Sequence, residues 1–296
     1  MPKPVSPHAP SNSSPFTRRE FLRAGMASLL ITNQVKALSA TAIQNAFAQK
    51  LHNTRAVAEI IDQDTGTSLL HAVNTQTVNT PGSILKPLIL CDALKRGIIP
   101  ASAITFCTRS LQIAGKPYPC THPQSNIAFN AQEALTYSCN TWFASLALRM
   151  RPEQLVEILH SYQLHPSGNL ASPADLQLLT LGLNGILTSP HQVASAYSLL
   201  APQLQQPFAR PVADGLRDSV SFGMAHNAAV QGLAISGKTG TANHLPCEPW
   251  SHGWFAGYAT LADTSLTLCI YLPQGNGADA AFLAQQALAA AQKANA

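Results

Sequence analysis

The stretch "PGSILKPLIL", residues 81–90, places a serine and a lysine three positions apart at the head of an apolar run. If a helix begins near Ser83, the side chains of Ser83 and Lys86 share one face, one turn apart. An amine in that position can take the proton of a hydroxyl and turn it into a nucleophile. The same residues also describe an ordinary helix start, with Ser83 as the N-cap and Lys86 turned to water. Ser-x-x-Lys alone does not separate the two readings, so the surrounding chain has to.

The chain has 296 residues, of which 46% are hydrophobic and 11% charged, enough apolar side chain for a sizeable core. Its formal charge of +4 is localised. Lys3, Arg18, Arg19, Arg23 and Lys36 precede residue 49 with only Glu20 against them, and the remainder is balanced. A neutral body carries no nucleic-acid footprint. Residues 1–16 are rich in Pro and Ser and read as disordered. "TRREFLRAGMASLLI" follows, with paired arginines at 18–19, then Phe21-Leu22-Arg23 and an apolar stretch, Ala24 to Ile31. That stretch is too short to span a bilayer, so no stable membrane span is expected in the mature form. The pattern resembles a twin-arginine export signal. It implies an exported protein of a bacterium, periplasmic or extracytoplasmic, with small-x-small cleavage after Ala48 or, earlier, at Ala40. The expected division is therefore residues 1–48, a disordered N-terminus plus signal, and residues 49–296, the working domain.

Along that domain, "AVAEIIDQDTGTSLLHA" reads as two strands around a turn at Asp64-Thr65-Gly66. A helix is expected from about Ser83. Residues 100–128 look irregular, with a hairpin turned by Gly115-Lys116-Pro117. "NAQEALTYSCNTWFASLALRM" has helical spacing broken at Ser138-Cys139-Asn140. "PEQLVEILHSYQL" and "SPHQVASAYSLLA" are amphipathic helices opened by proline. "GLAISGKTGTA", "HGWFAGYATL" and "SLTLCIYLP" read as three antiparallel strands, and "DAAFLAQQALAAAQKANA" as a closing helix. The expected fold is α/β of the α+β type, an antiparallel sheet built from both ends of the chain, flanked by helices, with a mostly helical insert. Six cysteines in an exported chain make Cys107 and Cys120 a candidate disulfide across that hairpin. Cys91, Cys139, Cys247 and Cys269 read as small buried hydrophobes. No His/Cys group shows metal-ligand spacing; His244, Cys247 and His252 come closest. The expectation is no metal and no cofactor.

"SILK" at 83–86 is followed in chain order by "SCN" at 138–140 and "KTGT" at 238–241. Ser-x-x-Lys, Ser-x-Asn and Lys-Thr-Gly together, on a helix start, a helix break and a late strand, form the signature of penicillin-recognising serine acyltransferases. The chain resembles the transpeptidase domain of class B penicillin-binding proteins over nearly all of residues 55–292. "DQDTGTSLLHA", "PGSILKP", "LTYSCNTWF", "LGLNGILTSPHQVASAYSLLA" and "ISGKTGTAN" with "HGWFAGYA" carry the likeness. The resemblance implies Ser83 as nucleophile, Lys86 as its base, Ser138 as proton relay between two lysines, and Lys238 as a neighbouring positive charge. It implies Asn140 on the acyl donor's amide and Lys238, Thr239 and Thr241 on its terminal carboxylate. Gly240 would keep the strand open to an added peptide strand, and the backbone N–H groups of Ser83 and Thr241 would form the oxyanion hole. The implied ligand is a peptidoglycan stem peptide ending in D-Ala-D-Ala, or a β-lactam; no protein partner is implied. The chain leaves no room for the pedestal or glycosyltransferase domains of larger relatives.

Three functions follow from these motifs: a D,D-transpeptidase or D,D-carboxypeptidase, a serine β-lactamase of class D-like type, and a β-lactam or peptidoglycan sensor or scaffold without turnover. Between residues 150 and 190 there is no Glu-x-x-Leu-Asn of the class A β-lactamases. Asn140 stands where class D enzymes carry Val, although carbamylation of Lys86 would suit that class.

Overall fold

The hairpin expected at the start of the domain is present in the computed structural model, which describes residues 40–71, 78–243, 250–261 and 263–294. Strand β1 (Val57–Asp62) turns at residues 63–67 into β2 (Ser68–Leu70). The Asp62 carboxylate accepts from the Asp64 and Thr65 N–H groups, which is how an aspartate closes a turn without spending backbone carbonyls. From the other end of the chain come β7 (Ile235–Asn243), β8 (Ser251–Leu261) and β9 (Thr264–Leu272). They join β1 and β2 in one antiparallel sheet of order β2-β1-β9-β8-β7. The sheet is thus built from both ends of the chain, as the sequence predicts. β7 pairs with β8 alone and forms one edge.

Both faces of the sheet are covered. Trp254, Ala256, Cys269 and Tyr271 share a core with the helical insert. Their strand neighbours Phe255, Leu268 and Ile270 are equally buried and face the other way. There the closing helix α9 (Gly277–Ala294) lies against β8, β9 and β7 with Ala280, Ala284, Ala287 and Leu288 buried. The insert contains α2 (Lys86–Lys95), α3 (Ala131–Thr136), α4 (Asn140–Ala147), α5 (Pro152–Ser161), α6 (Pro173–Thr180), α7 (Pro190–Leu200) and α8 (Arg210–Ser221). Its helix starts are written in side chains. Asn130 with Glu133, Ser172 with Asp175 and Ser189 with Gln192 are reciprocal capping boxes, and each satisfies two otherwise orphaned N–H groups.

Helices α6 and α8 go beyond the sequence reading. Gly215 interrupts the helical pattern of α8, yet a Cβ there would come within 3.0 Å of Gln132 O and of the Leu135 side chain. The glycine lowers helix propensity and in return lets α8 lie directly on α3. Residues 100–128 also hold more order than expected, in the two-stranded pairs β3 (Thr105–Cys107) with β6 (Ile127–Phe129) and β4 (Gln112–Ile113) with β5 (Lys116–Pro117). The hairpin turns on Ala114 and Gly115, both at positive φ, and not on Gly115-Lys116-Pro117. Two consecutive positive φ angles match the right-handed twist of the flanking strands, so Lys116 and Pro117 fall in the return strand.

The working unit begins earlier than residue 49. Residues 40–51 form helix α1, and the compact unit runs from Thr41 to Ala296. Ile43 and Phe47 are fully buried and Ala46 nearly so. Ala42, Asn45, Ala46 and Gln49 lie beside Ala290 and Ala294 of α9, and the Gln44 side chain donates to Leu69 O. Cleavage after Ala48 would remove this helix; cleavage at Ala40 would leave it whole. Burying an isoleucine and a phenylalanine stabilises by about 3–6 kcal/mol together. A chain begun at residue 49 is therefore expected to melt on the order of 10 °C below one begun at residue 41. Equal melting temperatures would remove α1 from the fold. The twin-arginine stretch lies outside the described residues, and among those described no helix is long and apolar enough to cross a membrane.

Candidate active site

Ser83 sits in a single 3₁₀ turn, Gly82–Leu85, that runs directly into α2. Neither start uses a side-chain cap: the N-caps are Pro81 and Leu85, without side-chain hydrogen bonds. Ser83 is half-buried and Lys86 fully buried. The reading of Ser83 as a cap and Lys86 as a solvated lysine is thereby excluded.

The turn is held from four sides. The Gly82 N–H donates to Gly182 O at 2.8 Å, and Tyr197 Oη donates to Ile84 O at 2.9 Å. The Thr80 carbonyl accepts from Trp254 Nε1 at 3.0 Å and His252 Nε2 at 2.7 Å. Gly82 has φ +58°, and a Cβ on it would stand 3.0 Å from Thr241 O and 3.3 Å from Thr241 N. The backbone of β7 thus passes within contact of the turn that carries Ser83. Thr241, one of the two residues implied for an oxyanion hole, thus lies against the turn that carries the other, Ser83. Gly240 serves the same approach: its Cβ would fall 2.6 Å from Pro81 O and 3.1 Å from Ile84 Cγ2. Its missing side chain is explained by this packing of strand on turn.

Lys86 donates to Ser138 O at 2.9 Å, Ser138 Oγ at 3.3 Å and Asn140 Oδ1 at 2.8 Å, with its ammonium 5.2 Å from the Phe143 ring centroid. Among the described residues none of its hydrogen bonds goes to Ser83 Oγ; such catalytic contacts often tighten only when substrate binds. Burial draws the Lys86 pKa down from 10.5 to about 8, against the smaller opposing pull of negative charge at Cys139 and Cys120. Lys238, also fully buried, is pushed well below its usual value by burial first and by the Lys86 charge second. It donates to Thr239 O at 2.9 Å. Burial of both lysines, together with the repulsion of their charges, makes the neutral amine more accessible than for a lysine in water.

Ser138 and Asn140 stand at the break between α3 and α4. Ser138 has φ +55°, a left-handed conformation costly for a non-glycine residue and typical of functional turns. It turns its hydroxyl and its carbonyl onto Lys86. A hydrogen bond to Lys238, implied for a relay between two lysines, is not present among the described residues. Asn140 is occupied at both ends, accepting from Lys86 and donating through Nδ2 to Tyr118 O at 3.4 Å and Pro119 O at 3.1 Å.

The threonines of β7 part company with Lys238. Alternate residues of a strand face opposite sides, and Thr239 Oγ1 donates to Met224 O at 3.3 Å while Thr241 Oγ1 accepts from Gly277 N at 2.8 Å. Thr239 is buried and Thr241 exposed. Of the three residues implied for the carboxylate, Thr239 thus has its hydroxyl engaged on Met224 O.

Sequence reasoning missed the supports of the turn: Gly182, Tyr197, His252 and Trp254. His252 and Trp254 at positions i and i+2 of one strand would share a face, and that pairing was the available signal. It also missed a group of four. Cys107 at the end of β3, Cys120, His122 and Cys139, the N-cap of α4, are all buried, and their donor atoms lie within 4.8 Å of one another. Cys107 and Cys120 stand with their Sγ atoms 3.6 Å apart as free thiols, not joined in the expected disulfide, whose S–S distance would be about 2.05 Å. His244 and Cys247 lie outside the described residues, and His252 is spent on Thr80.

Residues 32–293 match the family model described as penicillin binding protein transpeptidase domain. Among solved structures, the D,D-transpeptidase domain of a peptidoglycan glycosyltransferase from Eggerthella lenta superposes with a TM-score of 0.73 at 18% identity, covering 85% of this chain and 81% of that one. The transpeptidase domain of Burkholderia pseudomallei penicillin-binding protein 3 gives 0.71 at 20% identity over 88% and 93%. Pseudomonas aeruginosa PBP2 in complex with WCK 5153 gives 0.69 at 16% identity over 84% and 74%. No curated protein matches the chain.

Proposed function

Because the chain belongs to the penicillin-binding protein transpeptidase domain family, we propose that it is a serine acyltransferase of peptidoglycan stem peptides that works through an ester on Ser83. The observation that carries this reading is the fully buried Lys86, one turn from a half-buried Ser83, hydrogen-bonded to Ser138 and Asn140.

In this mechanism the Ser83 Oγ attacks the carbonyl between the two terminal D-alanines as its proton passes to the neutral Lys86 amine. The carbonyl oxygen gains negative charge against the N–H groups of Ser83 and Thr241. Ser138 hands its hydroxyl proton to the departing D-alanine nitrogen and takes the proton that Lys86 removed from Ser83, so both return to their starting state while the acyl group remains as an ester on Ser83. A second stem-peptide amine then displaces Ser83 in a transpeptidase, or water does so in a D,D-carboxypeptidase. A β-lactam enters the same path, except that its leaving nitrogen stays tethered. The free edge of β7 offers an extended peptide a strand to pair with.

Intact mass measured through time after brief penicillin exposure tests the reading. A stable adduct on Ser83 is expected. An adduct that disappears as penicillin is consumed would make the protein a β-lactamase. A stable adduct without turnover of D-Ala-D-Ala peptides would make it a sensor. Export by the twin-arginine route is supported by Arg18-Arg19 followed by Phe21-Leu22-Arg23. Replacing both arginines by lysine is expected to retain the protein in the cytoplasm; unchanged export would refute that route.

A further inference from the structure

We propose that Cys107, Cys120, His122 and Cys139 form a closed tetrahedral zinc site that clamps the Ser138–Asn140 segment against the loop carrying Tyr118 and Pro119. The distances match the ion. With Zn–S bonds of about 2.3 Å, the S–S edge of a tetrahedron is about 3.8 Å, and an S–N edge about 3.6 Å. Cys107 and Cys120 Sγ are 3.6 Å apart, Cys120 and Cys139 Sγ 3.9 Å, and Cys107 Sγ is 3.6 Å from His122 Nε2. Three cysteines and one histidine are a recognised structural zinc set, with no position left for water or substrate. A soft thiolate-rich tetrahedron selects zinc over the oxygen-seeking cations.

The surroundings fit the same assignment. Cys107, His122 and Cys139 are 0% exposed and Cys120 is 2% exposed, a dry enclosure that tolerates three thiolates only around a cation. Arg109 adopts φ +67°, and its N–H donates to Cys107 Sγ at 3.3 Å. Thr141 Oγ1 lies 3.5 Å from both Cys107 and Cys120 Sγ. Such outer contacts hold metal-bound thiolates in place. The His122 ring meets Phe129 edge-on at 5.1 Å, and its Nδ1 is buried without a hydrogen-bond partner. Binding would release the three thiol protons to solvent as three Zn–S bonds form. The four donors come from three segments, with Cys120 and His122 two residues apart on one of them, so no Cys-x-x-Cys spacing announces them.

The clamp has a purpose in the fold. Cys139 is the residue between Ser138 and Asn140. The other end of the Asn140 side chain rests on Tyr118 O and Pro119 O, immediately before Cys120. One ion would thus fix both partners of the hydrogen bond that seats Asn140 beside Lys86.

The assignment stands apart from the acyl-transfer reading, and its test does too. Elemental analysis of the purified full chain is expected to find about one zinc per chain. Replacement by Co²⁺ is expected to give the visible absorption of a tetrahedral thiolate site. Cys120→Ser and His122→Ala should weaken zinc binding at least about 100-fold in chelator competition. His122→Cys should restore it as a four-cysteine site, and Cys269→Ser should leave it unchanged. A metal-free chain with no cobalt spectrum would overturn the proposal, whether its thiols are free or Cys107 and Cys120 have lost two hydrogens to a disulfide. Zinc present without penicillin labelling would leave the metal site standing and defeat the acyl-transfer reading.

Discussion

Ser83→Ala is expected to abolish covalent labelling by penicillin, a fall of at least about 10⁴ in acylation rate, with the fold intact. The chemistry leaves no partial outcome, because the ester can form only on the oxygen that is removed. The fold should not register the change, since Ser83 is half-buried and its hydroxyl caps neither the 3₁₀ turn nor α2. Loss of one such hydroxyl costs within about 0.5 kcal/mol. What holds the turn is elsewhere, in the carbonyls of Thr80 and Ile84 and the N–H of Gly82. Unchanged melting with no adduct, by intact mass, is the expected pair of results. An adduct persisting on the variant would assign nucleophilicity to another side chain and end the Ser83 mechanism.

The legible part of this site consists of residues that act near their own place in the chain. Ser83 and Lys86 share one turn, and they become legible once Ser-x-Asn and Lys-Thr-Gly follow in chain order, the last between the apolar "GLAIS" and the strand "HGWFAGYATL". The less legible part consists of residues that act across the chain. Gly182 accepts from Gly82 one hundred residues away, and Trp254 and His252 reach back to Thr80; nothing in their local sequence marks a donor aimed at a distant carbonyl. Cys139 reads correctly as buried, and its neighbours in space cannot be known from its neighbours in sequence. The Thr239 hydroxyl shows the limit of a motif. The letters place it beside Lys238, and the pleat turns it to the opposite face, onto Met224 O. Helix α1 is a different case, because its "AFAQ" matches a small-x-small cleavage pattern and the same small residues also pack a helix closely against α9.

Lys86→Met is expected to move activity and stability in opposite directions. Acylation should fall by about 10³ or more, since the variant has no amine to take the Ser83 proton. Stability at neutral pH should rise, and the sign follows from linkage. The folded-state pKa of Lys86, about 8, lies below its unfolded value of 10.5. Below pH 8 the fold therefore carries the full cost of a charged lysine deprived of water, about 3 kcal/mol. Between about pH 8 and 10.5 the unfolded chain holds more protons than the folded one, so stability rises with pH and the cost disappears. Methionine fills a similar volume with no charge. Losing the bonds to Ser138 and Asn140, both half-buried and open to water, returns part of the gain. A net rise of about 1–2 kcal/mol remains at neutral pH, a few degrees in melting temperature, and it turns into a small loss as the pH is raised past about 10, where only the missing bonds count. The wild-type chain should show the kinetic face of the same pKa. Acylation should climb with pH and level off above about 8, because roughly one lysine in ten is neutral at pH 7. A variant that melts lower than the wild type at pH 7, or a wild-type acylation rate flat from pH 6 to 9, would show that Lys86 is not the strained base described here. The left-handed Ser138 beside it would then be a feature of folding alone, and the site would have to draw its base from Lys238.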